Sequence, residues 1–118
     1  MANSPLTTLK RQVDFRKLRQ FGRRARVCRW LTIYWNKNDL PKARFGFVLS
    51  RHVGTAVVRN RLKRWTKERL RQSSQLPSAN CDFVFVFSGQ PPEAYCELTY
   101  EDLVQQLQRF ETSFTAAR

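Results

Sequence analysis

Residues 43–71 read ARFGFVLSRHVGTAVVRNRLKRWTKERLR and change from one periodicity to another partway along. Residues 43–50 alternate large apolar side chains with smaller or polar ones, which is the period of a β-strand. Farther along, Val58, Leu62 and Trp65 recur at helical spacing and form one narrow apolar stripe. The stretch therefore predicts a strand followed by a helix, the centre of an α+β fold.

Segments on both sides of this stretch carry the same two kinds of pattern. Each predicted strand has one face of large apolar side chains, which favours helices packed on that face, while its other face has smaller groups typical of an open groove. One domain over residues 1–118, with residues 1–9 and 112–118 as flexible ends, accounts for the whole chain. The flanking elements are a helix over 12–20 that ends at Gly22, strands over 28–35 and 81–88, and a C-terminal helix capped by Thr99 and Asp102.

The charge of the chain is large and unevenly distributed. It has 22 Lys and Arg against 9 Asp and Glu, a net charge of +13. Residues 1–71 hold 20 of the basic residues and 3 of the acidic ones, whereas the remainder is net acidic. Such a distribution predicts that one face, built from the first part of the chain, binds a polyanion.

Several classes of protein are disfavoured by what the sequence lacks. No stretch approaches the roughly 18 apolar residues of a membrane span, and the N-terminus has no apolar signal core. The three cysteines Cys28, Cys81 and Cys96, with the single His52, form neither a zinc spacing nor a disulfide framework. We therefore expect a cytoplasmic protein with reduced thiols and no membrane partner.

The helix after residue 56 concentrates the positive charge. A solvated, salt-bridged helix would interleave Glu with Lys, but Glu68 is the only acid among residues 56–71. Arg guanidinium groups bind phosphate oxygens bidentately, and Asn60 is able to donate and accept toward a ribose or base edge. The pattern indicates a helix that binds a phosphate backbone. Because Arg69 falls on the apolar stripe and Leu70 off it, we expect the last turn to fray or bend.

The segment SRHVGTAVVRNRLKRWTKE, Ser50 to Glu68, closely resembles the signature of the protein subunit of bacterial ribonuclease P. The similarity includes the Arg-Asn-Arg core and the Lys-Arg pair that follows it. The segments RFGFVLS, DFVFVF and LTYEDL stand in the order typical of that family, so the resemblance covers nearly the whole chain.

The resemblance implies a specific fold. The family has the element order αβββαβα, a central sheet with helices packed on one face, and an unusual left-handed βαβ crossover, whereas general rules favour a right-handed one. The residue patterns above give three strands, and we expect the fourth from a division of the region 26–36.

The resemblance also implies two RNA contacts. In this family the catalyst is an RNA subunit, and the protein binds that RNA as well as the 5′ leader of precursor tRNA, with no obligatory protein partner. By position, the contact with the catalytic RNA comprises Arg51, His52, Arg59, Asn60, Arg61, Lys63, Arg64 and Lys67. The leader-binding cleft lies between the first helix and the open face of the sheet, and it comprises Phe15, Phe21, Trp30, Tyr34, Arg44 and Val48.

Three positions depart from the family pattern. Arg19 stands where the family often has a second aromatic side chain in the first helix, and whether Phe21 replaces it is left open. Lys67 stands where Arg is common. Arg51 and His52 stand where two Lys are common, and a neutral His52 adds no charge.

The sequence offers the polypeptide little chemistry of its own. Metal-assisted phosphodiester hydrolysis requires clustered carboxylates, but the basic portion contains only Asp14, Asp39 and Glu68, which are far apart in the sequence. We expect Mg²⁺ to be held mainly by the partner RNA and the protein to carry no catalytic residue and no metal site, although Asp14 could help an ion to bridge to the leader.

Three other classes of protein are alternatives to this interpretation. A ribosomal or RNA-chaperone protein shares the basic surface and would be distinguished by the RNA that copurifies. A helix-turn-helix DNA regulator is disfavoured because strands, rather than a helix and short turn, precede the basic helix. A stand-alone nuclease lacks the carboxylates described above.

Overall fold

The computed structural model of this chain describes residues 6–73, 76–77, 79–88 and 90–116. The predicted order of helix, three strands, helix, strand and helix is confirmed, with a two-residue strand added before it and a short helix added before the last one. In chain order the elements are β1 Thr7–Thr8, α1 Gln12–Phe21, β2 Arg23–Cys28, β3 Leu31–Lys37, β4 Arg44–Leu49, a 3-10 turn Arg51–Val53, α2 Ala56–Gln72, β5 Cys81–Phe87, α3 Pro92–Cys96 and α4 Tyr100–Ala116.

The strands form a single mixed sheet in the order β1-β4-β5-β3-β2. Strands β4 and β5 are parallel and are joined through α2, which confirms the predicted strand–helix–strand crossover. The left hand of this crossover stays a prediction. Strands β3 and β5 are antiparallel, as are β2 and β3. At its other edge the sheet ends with β1, which pairs only with Arg44 and Phe45 of β4.

The segment 28–35, expected to be a single strand, instead contains the turn of a β-hairpin and most of its second strand. Strand β2 runs to Cys28, a turn occupies Arg29 and Trp30, and β3 begins at Leu31. The pairing register shifts between Arg26 and Cys28. The turn was missed because it contains no Gly, Asn or Pro, and alternation of side chains continues through it. The resemblance implied a fourth strand, and β2 is that strand, although it begins at Arg23, before the region 26–36 in which we expected it.

The two faces of the sheet are covered by different helices. Phe83, Phe85 and Phe87 of β5 belong to the main core, with buried side chains of α2 and α4. On the opposite face Val84 and Val86 pack with Leu18 of α1. Helices α2 and α4 thus lie on one face, as expected, whereas α1 lies across the other face, where the resemblance implied a cleft between the first helix and the sheet.

Helix α2 continues to Gln72, so its last turn does not fray; the alternative of a bend there stays a prediction. Leu62, Thr66 and Leu70 are completely buried, and the Thr66 hydroxyl donates to the Leu62 carbonyl at 2.8 Å. Arg69 reaches past this row and pairs with Glu111 of α4 at 2.8 Å. The buried row thus follows i, i+4 spacing, and the adjacent Arg is neutralised by a neighbouring helix.

Parts of both expected flexible ends belong to the folded structure. The backbone amide of Leu9 donates to the Phe45 carbonyl at 2.7 Å, and Leu9 itself is buried. At the other end, α4 continues to Ala116, and Phe114 packs edge-on against Trp35 with ring centroids 6.0 Å apart. Residues 1–5 and 117–118 lie outside the described residues.

The start of α4 confirms the predicted cap. The amide of Thr99 donates to Asp102 Oδ2 at 2.9 Å, and the amide of Asp102 donates to Thr99 Oγ1 at 3.1 Å. This reciprocal capping box satisfies two helix-terminal donors and fixes where the helix begins.

Candidate nucleic-acid interface

The outer face of α2 and the turn before it present the predicted cationic surface. Asn60, Lys63 and Arg64 are exposed on the helix, and Arg51 and His52 are exposed on the turn. Because α2 buries one stripe against the sheet, the side chains of the opposite arc project into solvent. This surface therefore brings together five of the eight residues predicted to contact the catalytic RNA.

The turn is fixed to the helix by local hydrogen bonds. Ser50 Oγ accepts from the His52 amide at 3.3 Å, and Thr55 Oγ1 caps α2 by accepting from the Val58 amide at 3.4 Å. Gly54 has a φ of 141°, a conformation that side chains other than glycine rarely adopt. These constraints hold Arg51 and His52 beside the first turn of α2.

Arg61 differs from the other predicted contacts because its guanidinium is used inside the protein. Arg61 Nη2 donates to the carbonyls of Tyr95 at 3.4 Å and Cys96 at 3.3 Å, at the C-terminal end of α3. Its guanidinium also lies 5.1 Å from the ring centroid of Trp65. A cation at the end of a helix is stabilised by the free carbonyls there. Arg61 thus joins α2 to α3.

Lys67 occupies a crowded position at the edge of the cationic surface. Its ammonium group lies 5.8 Å from the ring centroid of Phe47 on β4. Partial burial lowers the pKa of Lys67, and the nearby charges of Lys63, Arg71 and Lys10 lower it further. Since Lys10 lies just before α1, Lys67 brings the surface of α2 close to that helix.

The cations of α2 have few acidic partners. Within the described residues two ion pairs form, Arg69 with Glu111 and Arg44 with Asp82. The positive charge of the exposed arc of α2 is therefore not neutralised by any described carboxylate. Crowded like charges repel one another, and a bound polyanion removes that repulsion.

A cleft lies between α1 and the sheet. The ring of Phe15 lies so close over Gly46 that a Cβ at Gly46 would be 2.6 Å from it, which explains the glycine in this strand. At the far side of the cleft, the guanidinium of Arg19 lies 5.7 Å from the ring centroid of Tyr34. The cavity has a volume of about 370 Å³ and is lined by Lys10, Gln12, Phe15, Arg16, Arg19, Phe47 and Val48.

Two of the six residues predicted for the cleft lie elsewhere. Trp30 lies in the β2–β3 turn and stacks on Phe87 with ring centroids 6.2 Å apart, on the face that carries α2 and α4, so its assignment to the cleft was wrong. Phe21 is 72% exposed and lies about 160° around α1 from Arg19, so it does not replace the aromatic that the family often has there.

Arg44 is bound by a neighbouring carboxylate. Arg44 Nη2 lies 2.6 Å from Asp82 Oδ2, Arg44 Nε donates to Asp82 Oδ1 at 2.8 Å, and Asn38 Nδ2 donates to the same Oδ1 at 2.8 Å. The hydrogen bond to Asp82 raises the pKa of Arg44, and the charge of Asp14 adds to the effect. Arg44 is therefore part of a structural network that joins β4 to β5, rather than a free cation of the cleft.

One residue near the cleft was missed by the sequence reasoning. Arg24 of β2 is the direct cross-strand partner of Tyr34 and is exposed. The signal that would have found it is the β2–β3 hairpin, since alternation from Tyr34 across the pair gives Arg24 on the same face. Without the hairpin, the basic run after Gly22 had no assigned face.

The described residues offer no evident metal site. Among them, no three His, Cys, Asp or Glu side chains gather as possible ligands of an ion. Asp82 is bound by Arg44, and Asp14 lies close enough to Arg44 for its charge to act on it. The helices of the described ranges also include none that is long and apolar enough to cross a membrane.

Comparison with known proteins gives consistent results. The family model described as ribonuclease P matches residues 4–113. The ribonuclease P protein component of Fusobacterium nucleatum is 33% identical over 104 residues, which cover 88% of this chain and 93% of that protein. That of Desulforamulus reducens is 44% identical over 79 residues, covering 67% and 69%.

Solved structures show the same fold. The RNase P protein from Thermotoga maritima superposes with a TM-score of 0.76 at 23% identity, covering 87% of this chain and 93% of that one. The Staphylococcus aureus RNase P protein gives 0.73 at 22% identity, covering 89% and 92%.

Proposed function

This chain belongs to the ribonuclease P protein family and is the protein subunit of that tRNA-processing endoribonuclease, and we propose that it binds its two RNA partners through two separate surfaces. The outer face of α2 binds the catalytic RNA. The cleft under α1 binds the 5′ leader of precursor tRNA. The observation that carries the proposal is the exposed cationic arc of α2, which has no carboxylate partner among the described residues.

The contact with the catalytic RNA is electrostatic. Arg forks bind phosphate oxygens bidentately, and each neutralised phosphate releases counterions, which gives strong and salt-sensitive affinity. Arg61 supports this surface by positioning α2 against α3. The residues in direct contact are Arg51, His52, Arg59, Asn60, Lys63, Arg64 and Lys67.

The contact with the leader relies on aromatic side chains. Phe15 and Tyr34 are half-buried and flank the cleft, with Val48 on its floor. Unstacked bases lie on such rings at about 1–3 kcal/mol per base with little dependence on sequence. A leader of variable sequence is bound in this way without base-specific hydrogen bonds.

The bond-breaking step belongs to the partner RNA in this proposal. Hydrolysis of a phosphodiester by metal ions requires oxygen ligands that converge on the reaction centre. Among the described residues no three His, Cys, Asp or Glu side chains gather as possible ligands, and Asp82 and Asp14 both neighbour Arg44. We therefore assign Mg²⁺ to the RNA and no catalytic residue to the polypeptide.

Reconstitution tests the proposal directly. The purified protein is mixed with candidate catalytic RNAs at low Mg²⁺, and cleavage of precursor tRNA is scored with and without each component. We expect cleavage to require the RNA and to be stimulated by the protein. Cleavage by protein from which all RNA has been removed by nuclease digestion and denaturing purification would contradict the assignment.

The alternative of a helix-turn-helix regulator is now disfavoured by the fold itself. The element that precedes α2 is a strand followed by a 3-10 turn, not a helix.

A further inference from the structure

Arg24 lies on the same face of the sheet as the leader-binding cleft. It is paired directly with Tyr34 across the β2–β3 hairpin, and direct cross-strand partners share a face. Its neighbour Ala25 packs against the main core on the other face. Since successive side chains of a strand alternate, Arg24 projects on the α1 side and Arg23 on the opposite side.

Tyr34 therefore has two arginine neighbours. The guanidinium of Arg19 lies 5.7 Å from the Tyr34 ring centroid, and Arg24 is the adjacent residue on the edge strand. Both arginines are exposed, and neither forms an ion pair with a described acidic residue. One guanidinium beside an aromatic ring, with a second exposed arginine on the adjacent strand, is an arrangement suited to a nucleotide, whose base stacks while its phosphate accepts hydrogen bonds.

Cations lie at both ends of the cleft. Lys10, Arg16 and Arg19 line the cavity beside β4, and the guanidinium of Arg19 also faces Tyr34 on β3. Arg24 lies one strand farther, on β2. Strands β4, β5, β3 and β2 are consecutive in the sheet, so the two ends are three strand spacings apart, about 14 Å. A single strand that crosses the cleft from β4 passes Tyr34 before it reaches Arg24.

We infer that Arg24, together with Arg19, forms a phosphate-binding end of the cleft for the part of the single-stranded leader that extends beyond Tyr34. This inference rests on the proposed leader-binding function and adds a length requirement to it. A leader too short to reach β2 gains nothing from Arg24. A longer leader gains a charge-assisted contact that is independent of its sequence.

The holoenzyme with an Arg24→Ala subunit tests the inference, and Arg23→Ala is the matched control. Both changes remove one exposed guanidinium from adjacent positions of one strand, but only Arg24 lies on the cleft face. Affinity is measured for mature tRNA, for precursor tRNA with a leader of about two nucleotides, and for one of about ten, which is long enough to cross the 14 Å between the cleft ends.

We expect Arg24→Ala to weaken binding of the long-leader substrate by about ten-fold, the size of one missing charge-assisted hydrogen bond. Mature tRNA and the short-leader substrate should be unaffected, and Arg23→Ala should leave all three unchanged. The slope of log affinity against log salt for the long leader should fall by about 0.7 for each leader phosphate that Arg24 no longer neutralises. Arg24→Lys, which keeps the charge without the fork, should give an intermediate loss.

Two results would overturn the inference. One is an equal response of Arg24→Ala and Arg23→Ala to leader length, and the other is a loss of affinity of Arg24→Ala for the catalytic RNA instead of the leader. Tyr34→Ala, measured in parallel, separates this inference from the proposed function. If Tyr34→Ala discriminates by leader and Arg24→Ala does not, only the inference fails; if neither does, the leader cleft itself is wrong.

Discussion

At the scale of single residues, the arginines of α2 make different interactions because their surroundings differ. Arg64 is exposed, Arg61 donates to two carbonyls of α3, and Arg69 pairs with Glu111. The sequence predicted which positions face away from the core, because that follows from helical periodicity. It did not predict the tasks of Arg61 and Arg69, because these depend on α3 and α4, whose positions no local pattern specifies.

Substitutions on the two proposed surfaces should separate assembly from leader binding. Arg59→Ala combined with Arg64→Ala removes two cations from the α2 surface and should weaken assembly with the catalytic RNA, whereas Tyr34→Ala should leave assembly intact and lower affinity for substrates with a leader. Binding of the catalytic RNA, precursor tRNA and mature tRNA is measured for each variant. Equal effects of Tyr34→Ala on precursor and mature tRNA would count against the cleft.

Arg61→Ala should reduce the stability of the free protein. The change removes two hydrogen bonds to carbonyls of α3 and the packing of the guanidinium on Trp65, so we expect the free energy of unfolding to fall by about 1–3 kcal/mol. Arg64→Ala, an exposed position on the same helix, is the control and should stay within about 0.5 kcal/mol of the wild type. Urea denaturation measures both, and equal stability of the two variants would refute the structural role.

At the scale of elements, the sequence predicted long periodic segments well and short connections poorly. Helices α1, α2 and α4 and strands β4 and β5 were found from alternation or helical spacing, and the capping box located the start of α4. The β2–β3 turn was missed because its residues carry no turn signal, and this error placed Trp30 on the wrong face. Strand β1 was missed because two residues carry no periodicity.

The contact between Phe15 of α1 and Gly46 of β4 predicts that a methyl group added at residue 46 destabilises the protein. Gly46→Ala would place a Cβ 2.6 Å from the Phe15 ring, so α1 must shift or the ring must turn. We expect a decrease of about 1–3 kcal/mol in unfolding free energy and weaker leader binding, with assembly unaffected. Adding Phe15→Leu, which shortens the clashing side chain, should restore part of the stability that Gly46→Ala removes. Thermal denaturation of the single and double variants provides the measurement.

The burial of Glu111, which pairs with Arg69 between α2 and α4, predicts a dependence of stability on pH. Burial raises the pKa of Glu111, and the charge of Arg69 opposes part of that shift. The pKa of Glu111 is therefore higher in the folded state than in the unfolded state, and the folded state binds the proton more tightly. The resulting contribution to the free energy of unfolding is fully present below the unfolded pKa and is lost as the pH rises through the folded pKa.

Urea denaturation across that range checks the prediction. Wild-type stability, relative to that of Glu111→Gln, should increase as the pH falls from neutral toward the unfolded pKa of about 4.3. The Gln variant has no titrating group at this position and serves as the reference. A difference between the two proteins that does not change with pH would contradict the raised pKa.

At the scale of the whole molecule, charge divides the protein into two parts. The basic residues lie mainly on α1, β2, the turn and α2, while six of the nine acidic residues follow residue 71, most of them on α3 and α4. Composition alone predicted a polyanion-binding face. The position of α1 on the opposite side of the sheet from α2 depends on long-range packing, which the local patterns did not show.

The uneven charge predicts a steep response to salt. With around six to ten phosphate contacts, affinity for the catalytic RNA should fall by roughly 10³–10⁵-fold between about 50 and 200 mM salt. Filter binding or fluorescence anisotropy at graded salt provides the measurement. A nearly flat response would show that the cationic arc of α2 is not the main contact.

The brief pairing of β1 with β4 also affects how copies of the free protein behave toward each other. Strand β1 covers only Arg44 and Phe45, so within the described residues the outer backbone edge of Phe47 and Leu49 has no strand partner. An open edge of this kind is a template for aggregation by intermolecular strand pairing. Electrostatic repulsion between highly cationic copies opposes such pairing at low ionic strength. Before assembly, colloidal stability of the subunit therefore depends on the same charges that we propose bind RNA.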